Sequence, residues 1–358
     1  MKSRITIVVL SCILSIIIGL VIARGGGRVV SAIEKHKPLI GFSMDTLKES
    51  RWQADREFFI KRSSELGADV LVQAANSDDA RQIQDVQALI SRRVDVLVVV
   101  PHNGAAMAKG VKLAHEAGIP VISYDRLTTD CDLDLYITFD NVRVGELQAQ
   151  FVVERAPKDR PMRIVRIYGA KTDNNARLFK EGQDKVFNPL IKDGKIIVVH
   201  EDWADEWRPE NAKKIMNAAI TKVGATFDAV VAANDGTAGG AIQALTEEGL
   251  AGKVLVTGQD AELAACQRII NGMQAMTIYK PISKLAPAAV EVAIKLAKGK
   301  PVVALGSIDN GQARVPTILL DVVPVTRENM VETVIKDGFQ SFDDVYRGVP
   351  AELRPQKP

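Results

Sequence analysis

The sequence predicts an α/β protein of two doubly wound, Rossmann-like lobes, and three observations carry that expectation. Short β-branched runs alternate with longer stretches whose apolar residues recur at three-and-four spacing, the rhythm of βα units. Several short runs, DVLVVV at 95–100 among them, are apolar on successive residues, as suits parallel strands covered on both faces. After APKDRP at 156–161 the rhythm starts again, and neither half contains a shorter period, which indicates two lobes rather than a solenoid.

Taken in order, the first half gives strands at 39–44, 69–75, 95–100, 120–124 and 135–139, with helices at 51–66, 77–92, 104–117 and 142–154. The second gives strands at 162–168, 195–200, 227–233, 253–258 and 275–279, with helices at 176–190, 209–222, 237–248, 261–271 and 283–298. Ligands of open α/β sheets bind beyond the carboxyl ends of the strands, so a cleft between two such sheets is the expected site.

A chain of 358 residues with a formal net charge of +2 has room for two cores and lacks the basic excess that a nucleic-acid partner would require. Cys12, Cys131 and Cys266 are too few and scattered for a disulfide framework or zinc site. The four histidines, His36, His102, His115 and His200, are equally dispersed, so neither a metal nor a cofactor is expected. The N-terminus differs in kind, with two positive charges in residues 1–4 ahead of an uncharged apolar run at 5–23. That layout fits a secretory signal cut ahead of Arg24, after the small residues Val21 and Ala23. The run is equally long enough to anchor uncut, since about 20 apolar residues span a bilayer. Either way, the remainder lies outside the cytoplasm, on a glycine-rich, charged linker at 24–37.

Polar residues recur just past the strand ends of both halves. Asp125 and Arg126 follow the strand at 120–124, Asp173 and Asn175 that at 162–168, and Asn234, Asp260 and Lys280 the last three strands of the second half. They supply fixed acceptors, planar donors and bifunctional amides. A sugar, whose hydroxyls donate and accept at once, suits charge-assisted bonds to such groups. Its ring faces are carbon surfaces over which Trp52 and Trp207, one from each half, can close. With only 5% aromatic residues, two tryptophans so placed are informative. The competing structural roles are a first-turn core anchor for Trp52, a residue packed beneath Pro209 for Trp207, and a surface ion pair for Asp125-Arg126. Trp203 reads as core.

No G-x-x-x-x-G-K-[ST], G-x-S-x-G or H-E-x-x-H motif is present. The DGTAGG run at 235–240 reads as a tight strand-to-helix turn rather than a phosphate cradle. Asp125 and Asp260 could form a glycosidase-like carboxylate pair, but neighbouring cations would keep both ionised and leave no general acid. A binding protein rather than an enzyme is expected.

The runs DRLTTDCDLDLYITFDNVRVGELQAQ, TDNNARLFKEGQDKV, AANDGTAGGAIQALTEEGLAGKVLVTGQDAEL and MTIYKPI resemble the bacterial periplasmic D-xylose-binding proteins. These are part of the type I sugar-binding family, with ribose- and galactose-binding relatives, that serves ABC importers. The resemblance covers 38–339 and implies lobes joined by a three-segment hinge, with crossings near 139–143, 276–281 and 305–310, that close on a sugar by bending. It implies a first lobe of 38–139 plus 281–305, a second of 140–280 plus 306–345 and a tail at 346–358. The helix at 283–298 thereby moves to the first lobe. The ligand set it implies is Arg51, Trp52, Asp125, Arg126, Asp173, Asn175, Trp207, Asn234, Asp260 and Lys280. Lys48 and Glu49 stay unassigned, because the chain departs from the family pattern in the loop DTLKES. The implied function is capture of a monosaccharide, D-xylose foremost, in the periplasm or at the outer face of the cell membrane, for an ABC permease. The alternative is a membrane-anchored xylose sensor acting on the extracellular domain of a two-component sensor kinase. A transcription regulator of related fold is disfavoured, since no helix-turn-helix segment precedes Pro38.

Overall fold

A computed structural model of the chain describes residues 37–357, so the expected signal or anchor, and all of the linker except Lys37, lie outside the described residues. The elements of the first lobe are β1 (Leu39–Met44), α1 (Ser50–Glu65), β2 (Asp69–Ala74), α2 (Asp79–Ser91), β3 (Val96–Val99), α3 (Ala108–Glu116), β4 (Val121–Tyr124) and β5 (Leu135–Phe139). The chain then crosses into α4 (Asn141–Val153), β6 (Met162–Tyr168), α5 (Asn174–Lys192), β7 (Ile196–Trp203), α6 (Pro209–Val223), β8 (Ala229–Ala232), α7 (Asp235–Glu247), β9 (Leu255–Val256), α8 (Leu263–Ile270) and β10 (Thr277–Tyr279). It returns through α9 (Ile282–Ala297), β11 (Gly306–Asp309) and β12 (Arg314–Leu320). It ends in the second lobe with β13 (Val323–Val325), a π-helical turn at Val331–Ile335 and α10 (Phe342–Val345).

The first sheet runs β11-β12-β5-β4-β3-β1-β2, parallel throughout except that β11 is antiparallel to β12. Successive apolar residues in its strands serve opposite faces, because side chains alternate along a strand. Val96 and Val98 of β3 pack with Phe59 of α1 and Leu285 and Val290 of α9, while Leu97 and Val99 pack with Val86 and Leu89 of α2 and Val111 of α3. The second sheet, β7-β6-β8-β9, is built the same way. Val230 and Ala232 of β8 face α6 and α7 through Met216 and Leu245, and Ala229 and Val231 face α4 and α5 through Val152 and Phe187. Helices α4 and α5 approach closely enough that a Cβ on Gly145 would strike the Phe179 carbonyl, and one on Gly182 the Val142 carbonyl. That contact fixes where the N-terminus of α5 points.

The structure corrects two lobe boundaries and one helix start. The segment 305–310, expected to be the third crossing, instead contains β11, which pairs with β12, and β12 in turn pairs with β5. Residues 306–320 therefore belong to the first sheet, and the crossing falls between Leu320 and Val323. β11 is an edge strand with three of its four residues exposed, so it carries little apolar signal. The expected tail also begins too early, because Tyr346 is buried with Phe342 and Val345 in the second lobe's core. Helix α3 starts at Ala108 rather than 104, since the Asn103 side chain accepts from the amides of Ala105 and Ala106 and holds a turn there. Among the described residues no helix is long and apolar enough to cross a membrane.

Candidate ligand-binding site

Where β4 ends, the chain turns so sharply that Asp125 adopts φ 59°, a left-handed value uncommon for a residue with a side chain. The turn is fixed by its carbonyl, which accepts from the Tyr136 hydroxyl (2.8 Å), Thr138 Oγ1 (2.7 Å) and Asn175 Nδ2 (3.1 Å). Trp207 and Asp260 are also left-handed, at φ 56° and 98°. Three strained backbones thus hold three side chains toward one cleft, where such strain tends to collect.

All ten expected residues line a single cavity, together with Glu49, Phe179 and Gln259, which were not in the expected set. Three contacts cross from lobe to lobe over it. Arg51 Nη1 donates to Asp260 Oδ1 (3.3 Å), Asn175 Nδ2 donates to Asp125 Oδ1 (3.0 Å), and Arg126 Nε pairs with Asp173 Oδ2 (2.9 Å). The two lobes are closed on the cavity.

Within each lobe further partners aim these groups. Arg51 Nη2 bridges Asp125 Oδ2 (3.0 Å) and Asp55 Oδ2 (3.1 Å), and Asp55 also accepts from the Tyr124 hydroxyl. Arg126 Nη1 donates to Asp45 Oδ2 (2.7 Å), and His102 Nδ1 stands 3.0 Å from the other oxygen of Asp45. In the second lobe Asp173 caps α5 by accepting from the Asn175 amide, and Asn234 caps α7 in a capping box with Thr237. Lys280 Nζ lies 3.9 Å from Asp125 Oδ2 at the second crossing.

The tryptophans serve packing and lining at once. Trp52 is 4% exposed, with the Arg51 guanidinium carbon 4.1 Å from its ring centre and that of Arg126 at 5.2 Å. Trp207 meets Phe179 edge to face at 6.3 Å between centroids. Trp203 lies outside the cavity, half-buried against Tyr168 at 4.8 Å.

A model of the periplasmic binding protein domain matches residues 40–301. The D-xylose-binding periplasmic protein of Haemophilus influenzae is 48% identical over 307 residues, covering 86% of this chain and 92% of that one. The chain belongs to the periplasmic binding protein family. The Escherichia coli D-xylose-binding periplasmic protein is also 48% identical, over 306 residues, with the same coverage of both chains. Among solved structures, a carbohydrate transporter solute-binding protein of Chloroflexus aurantiacus in complex with D-glucose has a TM-score of 0.81 at 33% identity, covering 85% of this chain and 97% of that one.

The cavity of this periplasmic binding protein is charged but internally neutralised. Burial pushes the Asp125 carboxyl up, yet Arg51 and Lys280 outweigh it and hold the group below the usual carboxylate range. At Asp173 burial prevails over Arg126, so that carboxyl titrates above its ordinary value. Burial likewise lowers Lys280 against the pull of Asp125. Asp55, behind Arg51, is pushed by burial to about 6.

Glu49, Phe179 and Gln259 were missed for different reasons. Phe179 sits at core spacing on a helix, where an aromatic reads as packing. Gln259 adjoins Asp260, and that adjacency was the available signal. Glu49 occupies the N-cap position of α1 without capping it, so its side chain is left for the cavity.

Proposed function

We propose that this protein captures D-xylose in the periplasm by closing its two lobes over the sugar and hands it unchanged to an ABC importer. The observation that carries the reading is the cleft cavity itself. Three cations and three aspartates drawn from both lobes and the second crossing converge there beside two tryptophans, in a chain 48% identical to D-xylose-binding relatives. Aspartates 125, 173 and 260 accept from sugar hydroxyls, while Arg126, Lys280 and Asn234 donate to them. The tryptophans cover the apolar ring faces. Sugar held by one lobe supplies contacts for the other, so the closed form is favoured by its greater affinity. No chemistry is needed, and Asp125, held ionised, is no proton donor.

A micromolar dissociation constant corresponds to about 8 kcal/mol. For a pentose that is about 0.8 kcal/mol per non-hydrogen atom, below the ceiling of about 1.5 for very small ligands. Nearly every hydroxyl must then be paired, so epimers that leave a buried group unpaired should be rejected. Calorimetry with a panel of pentoses and hexoses tests this. D-xylose is expected to bind at micromolar or tighter concentration and to exceed its epimers L-arabinose, D-ribose and D-lyxose at least about tenfold. Absence of D-xylose binding would overturn the proposal.

A further inference from the structure

Six aspartates are buried among the described residues, and five of them, Asp45, Asp55, Asp125, Asp173 and Asp260, pair with Arg51 or Arg126. Asp235 is the exception. It is 1% exposed, lies outside the cavity lining and forms no ion pair. Burial, with Glu262 nearby, pushes its carboxyl well above the ordinary carboxylate range. A buried acid without a counter-ion is costly unless its hydrogen bonds are complete, and here they are drawn from three separate places in the chain. Oδ1 accepts from Gln274 Nε2 (2.8 Å), and Oδ2 accepts from the Glu262 amide (3.0 Å) and the Thr277 hydroxyl (2.9 Å). Thr277 Oγ1 in turn accepts from the Ala261 amide (3.2 Å). The Asp235 amide donates to the Gln259 carbonyl (2.9 Å), and a Cβ on Gly258 would strike Asp235 Oδ1.

The stretch gripped in this way, 258–262, is the turn that carries Asp260 into the cleft. Asp260 and Ala261 are consecutive left-handed residues with side chains, at φ 98° and 49°. Such a pair persists only where its surroundings over-determine it. The amides of Ala261 and Glu262 supply that constraint, one through Thr277 and one directly, and both lead to the same carboxylate. We propose that Asp235 is a positioning residue for the sugar: it touches no ligand, and it holds the 258–262 turn so that Asp260 reaches Arg51 and the sugar across the cleft. Asp235 thus sets affinity through Asp260. The inference rests on the sugar-binding reading above.

The test is calorimetry with D-xylose on the wild type, Asp235→Asn, Thr277→Val, Asp260→Ala and the double variants that combine each of the first two with Asp260→Ala. Asp235→Asn keeps the side chain's shape but turns one acceptor into a donor that faces other donors. Thr277→Val removes the hydroxyl between Asp235 and Ala261. Asp235→Asn is expected to weaken D-xylose binding at least about tenfold, and Thr277→Val at least about threefold. With Asp260→Ala already present, each further loss should shrink to about twofold or less, because the carboxylate being positioned is gone. Losses of the same factor with and without the Asp260 carboxylate would mark a general structural effect and overturn the proposal. Wild-type affinity in Asp235→Asn would also overturn it and leave the sugar reading intact. Should Asp235→Asn not fold, Thr277→Val carries the same comparison, and its wild-type affinity would be equally decisive. If the wild type fails to bind D-xylose, the sugar reading falls and the positioning role with it.

Discussion

Asp125 illustrates how tightly the side chains of the site depend on one another. Its carboxylate is held by Arg51, Asn175 and Lys280, and its carbonyl by Tyr136 and Thr138, so removing any one partner leaves the rest buried and incompletely paired. Arg126→Ala and Asp260→Ala are each expected to weaken D-xylose binding at least tenfold, about 1.4 kcal/mol or more, with the far-ultraviolet spectrum of the fold retained. Unchanged affinity in calorimetry on both variants would remove these residues from the site. Gly169 acts at a distance of one ring. A Cβ there would strike the six-membered ring of Trp207, so Gly169→Ala should displace the indole and abolish the ligand-dependent change in tryptophan fluorescence. A signal of wild-type size would show that Trp207 does not cover the sugar.

Glu262 makes a prediction about pH. Burial, with Asp260 and Glu49 nearby, pushes its carboxyl from the ordinary 4.5 to about 7. The folded state therefore holds a proton that the unfolded state has released across that interval, and stability falls as pH rises through it. Asp55, at about 6, acts in the same direction. Glu262→Gln should be more stable to unfolding than wild type at about pH 8, by about 1–3 kcal/mol in denaturant melts, and show no advantage near pH 4.5. An advantage independent of pH would contradict the assignment.

At the scale of elements, α7 shows how one residue is used twice. Asn234 closes the capping box with its oxygen and lines the cavity with the rest of its amide. Asn234→Asp keeps a capping oxygen and loses the donor, so sugar affinity should drop at least about fivefold while stability changes by less than about 1 kcal/mol. A large fall in melting temperature with affinity preserved would reverse those roles. The site was legible in the sequence mainly because its residues stand just past strand ends, where runs such as AAND and GQDA break an apolar pattern abruptly. Elements without such a break were not. β11 exposes three of its four residues and was read as a connection, and β9 spans only Leu255–Val256, too short to show a strand pattern. Phe179 was invisible as a site residue because core and cavity aromatics share one spacing on a helix.

At the scale of the molecule, closure depends on a few cross-cleft bonds rather than on a continuous interface between sheets. Arg51 to Asp260, Asn175 to Asp125 and Arg126 to Asp173 each join lobes through groups that also face the cavity. On the proposed function ligand and closure are coupled, since a sugar that bonds these groups would stabilise the arrangement in which they meet. The chain passes between the lobes at three crossings, near 139–141, 279–282 and 320–323. The most direct measurement is a crystal structure with D-xylose. The expected result is one sugar in the cavity, bonded to Asp125 and Arg126 from the first lobe and to Asp260 from the second, with Trp52 and Trp207 beside its faces. Sugar bound by one lobe alone, or seated outside this cavity, would contradict it.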